Sequence, residues 1–210
     1  MKNTNREIFN NIYKHRKWIF GCGTGSIAFL NRPFIDYVNN FLKSHGDVKT
    51  IVDLGCGDLQ IAKSFTLDDK LYIGCDVSSY ITEINKKRYK NKNMKFLALD
   101  AVNDTIPAGD LIIIKDVLIH MCNKDVKTVL TKISGYKYII IQNCIGNLFE
   151  ENKNIRTGRN WRLLDVTKPP FNFAKIKLTK KYFEGLYAIP FWFMRAFKLP
   201  VLYNGIFVNF

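Results

Sequence analysis

Ile51-Val52-Asp53-Leu54-Gly55-Cys56-Gly57-Asp58 is the stretch that decides the fold. Three apolar residues bracket Asp53 and read as a short buried strand of a parallel sheet. The two glycines read as a strand-to-helix turn at which backbone comes close to a ligand, because a Cβ at either position would stand in the way. In open α/β sheets, ligands bind outside the carboxyl ends of the strands, and this turn lies at such an end. A dinucleotide fingerprint needs a third glycine three residues after the second. Gln60 occupies that position, which counts against NAD.

Working outward, Leu59–Phe65 reads as a short helix and Leu71–Cys75 as a second strand ending at Asp76. Asp76 lies 19 residues past Gly57. An acid at about this distance, closing the second strand, is placed to bond both hydroxyls of a ribose, and it also precedes a helix over Ser78–Tyr89 that it can cap. Lys95–Leu99 is a third strand, ending at Asp100-Ala101. Leu111–Ile114 is a continuous apolar run suited to a sheet centre, Asn123–Ile133 a helix, and Tyr138–Ile141 a fifth strand. This alternation predicts a parallel, doubly wound sheet. Upstream, residues 5–19 and Phe29–Lys43 have helical spacing. Between them lies a loop with glycines at 21, 23 and 25, suited to following a ligand with backbone N–H groups. Ala174–Leu178 and Ile206–Phe210 are the remaining strand candidates.

At 210 residues the chain reads as one domain. Thirty-two Lys and Arg against 18 Asp and Glu give a net charge of +14. That balance suits anionic partners, and equally a lysine-rich solvated surface. Five cysteines without CxxC spacing suggest no zinc site and no disulfide framework, which fits a reducing, cytoplasmic compartment. The polar N-terminus has no apolar signal core. The aromatic C-terminal stretch 188–210 is interrupted by Pro190, Arg195, Lys198 and Pro200 before it reaches a membrane-spanning length.

Val52–Asp58 resembles motif I of the class I S-adenosylmethionine (SAM) dependent methyltransferases. A second resemblance covers residues 13–175. Trp18-x-x-Gly21-x-Gly23-x-Gly25-Ser26, Lys115-Asp116-Val117-Leu118-Ile119-His120-Met121, Asn160-Trp161-Arg162 and Pro169-Pro170-Phe171-Asn172-Phe173 look like the motifs of small SAM-dependent methyltransferases of bacteria and large DNA viruses. These often occur in glycan-synthesis contexts. Cys22, Thr24, Lys115 and Met121 depart mildly from the family pattern.

The resemblance implies a Rossmann-like, seven-stranded, mostly parallel sheet with an N-terminal helical cap. Residues 1–46 would be the cap and glycine loop, 47–145 the SAM-binding core, and 146–210 the substrate-side loop and last strands. It implies that Asp53, Gly55, Cys56 and Gly57 face the methionine part of SAM, with Gly23 and Gly25 closing over it. Asp76 and Val77 would serve the ribose, Asp100 and Ala101 the adenine, and Lys115 would border the same pocket. The general base is left open between Asp116 and His120. If their segment turns helical they share one face, His120 accepting a hydroxyl proton and Asp116 orienting it. Trp161 and Arg162 offer an aromatic face and a guanidinium to a sugar or sugar phosphate. No metal site is legible. The leading expectation is O-methylation of a glycan hydroxyl. The alternatives are a nucleic-acid methyltransferase using Lys86–Lys90 as a phosphate track, and a catalytically silent subunit of the same fold.

Overall fold

A computed structural model describes residues 4–15, 17, 26–90, 93–146, 151–158, 160–182 and 202–209. Seven strands form one sheet: β1 (Thr50–Leu54), β2 (Leu71–Asp76), β3 (Met94–Ala98), β4 (Leu111–Lys115), β5 (Tyr138–Gly146), β6 (Lys177–Tyr182) and β7 (Leu202–Val208). Their order is β3-β2-β1-β4-β5-β7-β6. β1 to β5 are mutually parallel, while β7 runs antiparallel to both β5 and β6. The chain reverses direction in the sheet between β1 and β4, and at such a switch point the loops part to leave a crevice.

Strand side chains alternate between faces, so the apolar runs feed two cores. Ile112, Ile114, Ile139 and Ile141 pack against Val126, Val129, Leu130 and Ile133 of helix α4 (Asn123–Ile133). Ile51, Ile113 and Ile140 pack against Phe34, Val38 and Phe41 of helix α2 (Arg32–Ser44). Both faces of β4 are closed, hence its unbroken isoleucines. Helix α3 (Ser79–Arg88) starts from a Ser78 cap. Helix α1 (Asn5–Lys14) is opened by a Thr4–Glu7 capping box and buries only Ile12. It is held to the carboxyl edge by polar bonds: Asn10 Oδ1 accepts from Ser78 Oγ at 2.7 Å and Asn10 Nδ2 donates to Ser79 Oγ at 3.2 Å.

Several expected boundaries move. The helix expected over Leu59–Phe65 is only a 3-10 turn at Ala62–Ser64, because Leu59 takes φ 65° and breaks the helical path. The helix expected over 5–19 ends at Lys14, and the one from Phe29 begins at Arg32, where Pro33 is pre-set for a first turn. β5 runs on to Gly146 because β7 pairs with it as far as Leu202. The last two strands are displaced to Lys177–Tyr182 and Leu202–Val208.

Candidate active site

The turn after β1 is braced from two sides. Gly55 and Gly57 have φ of 85° and 52°, the left-handed region that glycine enters without strain. A Cβ on Gly55 would stand 2.1 Å from Val117 Cγ2, so this glycine lets the segment after β4 close over the turn. Its N–H and that of Cys56 donate to the Cys75 carbonyl at 2.7 and 3.0 Å. The Gly57 carbonyl accepts from Asn85 Nδ2 at 2.7 Å. The Gly57 N–H donates to Asp76 Oδ2 at 3.1 Å.

Asp76 closes β2 and is 5% exposed. Besides Gly57 it accepts from the Ser78 N–H at 2.9 Å and the Tyr13 hydroxyl at 3.3 Å. Burial pushes its pKa up to about 6 against those three bonds. Asp53, pointing from β1, accepts from the Tyr72 hydroxyl at 2.5 Å. Burial raises it to about 6 as well, opposed by the Tyr72 bond and the Lys115 charge. Asp100 follows β3. It accepts from the Val102 N–H at 3.0 Å, Asn103 Nδ2 at 2.9 Å and Asn5 Nδ2 at 3.4 Å.

These groups line one cavity of about 530 Å³. Asp53, Gly55, Cys56, Gly57, Asp76, Val77, Asp100, Ala101, Lys115, Asp116, His120 and Trp161 all border it. Gly23 and Gly25 lie outside the described residues. Arg162 is not brought to the cavity. It is buried against the start of α4, with Nη1 donating to Asn123 Oδ1 at 2.6 Å and to the Lys153 carbonyl at 2.7 Å. The sequence pair Trp161-Arg162 thus divides, with the indole 47% exposed at the cavity and the guanidinium turned inward. Lining residues to which the sequence assigned no role include Asn5, Phe9 and Tyr13 of α1, Phe34 of α2, and Asn204 of β7. Their helical or strand periodicity was visible, but nothing local marked which of them would meet the distant turn after β1.

Asp116 and His120 do not share a helical face. Asp116 has φ 54°, and only a 3-10 turn at Leu118–His120 follows. Lys115 Nζ donates to Asp116 Oδ2 at 2.5 Å and Gln142 Nε2 to Oδ1 at 3.0 Å, so both carboxylate oxygens are engaged. His120 Nδ1 lies 2.8 Å from the Asn160 carbonyl oxygen. A carbonyl only accepts, so Nδ1 carries the proton and Nε2 the lone pair. The acceptor that sets the imidazole's tautomer is therefore Asn160, where the sequence had suggested Asp116. Burial lowers the His120 pKa, against the Asn160 bond and the Asp116 charge, and keeps the ring neutral near pH 7.

Residues 52–136 match the family model described as a methyltransferase domain. The magnesium protoporphyrin IX methyltransferase of Synechocystis PCC 6803, solved with SAM bound, superposes with a TM-score of 0.61 at 12% identity, over 99% of this chain and 97% of that one. The fold is that of the class I SAM-dependent methyltransferases. The 1,6-didemethyltoxoflavin-N1-methyltransferase of Burkholderia thailandensis superposes with a TM-score of 0.61 at 12% identity, over 97% of this chain and 86% of that one. Mitomycin 7-O-methyltransferase gives 0.51 at 13% identity, over 79% and 50%. No curated protein matches the chain. At such identities the likeness speaks for the methyltransferase fold and not for the acceptor.

Among the described residues, no three His, Cys, Asp or Glu side chains converge as a metal site, and no helix is long and apolar enough to cross a membrane.

Proposed function

We propose that this protein is a SAM-dependent O-methyltransferase acting on a sugar hydroxyl of a glycan or glycan precursor. The observation that carries the reading is the joining, in one cavity, of an acid-rich cradle and a neutral imidazole with a fixed tautomer.

The cradle suits SAM. Asp53, Asp58, Asp76, Asp100 and Asp116 border the cavity against Lys17 and Lys115. Such a field favours a ligand bearing a sulfonium and an ammonium and disfavours the pyrophosphate of a dinucleotide. In this reading Asp76 accepts from the ribose hydroxyls. Leu99 and Ala101, both buried, offer an apolar slot beside Asp100 for the adenine. SAM, when bound, supplies a methyl group already activated by its positively charged sulfur. The tasks left to the chain are to hold the acceptor oxygen in line and to receive its proton. His120 Nε2 is the acceptor for that proton. Asp116, with both oxygens engaged by donors, is the weaker candidate and serves as the partly buried counter-charge of Lys115. The half-exposed face of Trp161 presents an apolar surface with a polar edge, suited to one face of a sugar ring.

A nucleic-acid acceptor finds less support. α3 begins at Ser78 beside the cavity and carries Lys86, Lys87 and Arg88 to its far end, about 15 Å along the axis. Lys86 is also paired with Glu83 at 2.8 Å. The test is release of S-adenosylhomocysteine when protein and SAM meet a panel of mono- and oligosaccharides, with RNA and DNA oligonucleotides alongside. Turnover on a sugar that disappears in His120→Gln is the expected result. Turnover on nucleic acid alone would overturn the acceptor assignment, and SAM binding without turnover on any acceptor would point to the silent subunit.

A further inference from the structure

The segment 152–162 brings Thr157 and Trp161 to the cavity, although none of its described residues belongs to a helix or strand. It is docked on the first turn of α4. Thr157 Oγ1 accepts from the Cys122 N–H at 2.9 Å and donates to Asp125 Oδ2 at 2.6 Å. Asn154 Oδ1 accepts from the Asn123 N–H at 2.8 Å, and the Gly158 N–H donates to the His120 carbonyl at 3.0 Å. The residue at the N-cap, Cys122, makes no side-chain bond to the helix, so the loop satisfies N–H groups that a helix start leaves unpaired.

Beneath this contact lies Arg162, 5% exposed. Its Nη1 bridges Asn123 Oδ1 at the helix start and the Lys153 carbonyl near the loop's own beginning. Its guanidinium carbon stands 5.9 Å from the centre of the Phe171 ring. One cation thus joins the helix, the entry of the loop and, through its own backbone, the exit that carries Trp161. Among the described residues, Nε and Nη2 are closed to solvent and have no hydrogen-bond partner. A buried guanidinium whose acceptors are an amide and a carbonyl is unfavourable for folding on its own account. Its value lies in what the loop does next.

We propose that Arg162 is a positioning residue for the transfer reaction: by clamping the 152–162 loop onto α4 it holds the Asn160 carbonyl against His120 Nδ1 and so keeps His120 in the Nδ1–H tautomer. This rests on the reading of His120 as the proton acceptor. The charged group facing the imidazole from the end of β4 is Asp116, and it is left in place by every change used in the test.

The chain has three histidines, so the His120 ring nitrogens are separable by NMR of 15N-histidine-labelled protein, with His120→Gln as the assignment control. The same samples are titrated with SAM by calorimetry. Wild type is expected to show the Nδ1–H tautomer and a pKa below about 6.5, the ordinary value. Arg162→Gln is expected to move His120 to the mixed tautomers of a free imidazole, with SAM affinity changed less than about twofold. Asn123→Ala removes the clamp's acceptor without touching the cation. It should shift His120 the same way by a smaller amount, and it carries the test if Arg162→Gln does not fold. Native-like SAM binding together with an unchanged His120 tautomer in the folded variants would overturn the proposal. Absence of SAM binding by wild type would instead strike the proposed function, while the NMR result would still decide whether Arg162 positions His120.

Discussion

The Tyr13 hydroxyl of α1 donates to Asp76 Oδ2 at 3.3 Å, tying the first helix of the chain to the acid that closes β2. Asn5, two turns earlier on the same helix, reaches Asp100 Oδ2 at 3.4 Å. α1 therefore touches both acids assigned to the nucleoside half of SAM, and it does so with few apolar contacts of its own. Tyr13→Phe removes a donor that lowers the Asp76 pKa. We expect the pH at which SAM binding fails to rise in this variant, with the fold retained. Calorimetric titrations across pH 5 to 8 check this.

The wild-type pH dependence has a defined sign. Asp53 and Asp76 both sit near 6 in the folded protein, above the ordinary value of about 3.9 for an unfolded aspartate. Between those values the folded chain holds protons that the unfolded chain has released. These two groups therefore stabilise the ligand-free protein at acid pH, and that contribution is lost as pH rises through about 6. His120, whose folded pKa is depressed, works in the opposite direction as pH falls. Binding of cationic SAM needs the carboxylates ionised, so its affinity should fall as pH drops below about 6. Asp76→Asn should bind SAM at least about tenfold more weakly at pH 8 and lose much of this pH dependence.

Asp116 and His120 should separate cleanly by mutation. The side chains of Lys115 and Asp116 are 10% and 21% exposed, so Asp116→Ala strands a mostly buried ammonium. A loss of about 3 kcal/mol of stability is expected from denaturant unfolding. His120→Gln should leave stability and SAM affinity close to wild type while lowering turnover by about 10² to 10⁴. The reverse pattern would exchange the two roles.

Gly55→Ala is expected to be severe. The added Cβ meets Val117 Cγ2 at 2.1 Å, at a φ of 85° that an L-residue enters only with strain. The pairing with Val117→Ala should recover the steric part and leave about 1–2 kcal/mol from the backbone. Thermal unfolding of the single and double variants measures both parts.

Much of this architecture is legible locally. Strand ends are marked by Asp53-Leu54-Gly55, Cys75-Asp76 and Leu99-Asp100, because apolar runs stop there and each stop falls at the carboxyl edge of a parallel sheet. What is not legible depends on distance along the chain. Tyr13 meets Asp76 across 63 residues and Tyr182 meets Asn31 across 151, contacts that no periodicity encodes. Asp116 to His120 has helical spacing in sequence, but the left-handed turn at Asp116 breaks it. Trp161-Arg162 reads as two substrate contacts because both side chains suit a sugar. Only the burial of the guanidinium against Asn123 assigns them different roles.

SAM is proposed to sit in the cavity beneath Gly55–Gly57, held through Asp76. Calorimetric titration of SAM and S-adenosylhomocysteine into wild type and Asp76→Ala at pH 8 tests it most directly. One site per chain is expected in wild type, with an affinity at least about tenfold weaker in the variant. A folded wild type that binds neither ligand, or a variant that binds both as tightly as wild type, would contradict it.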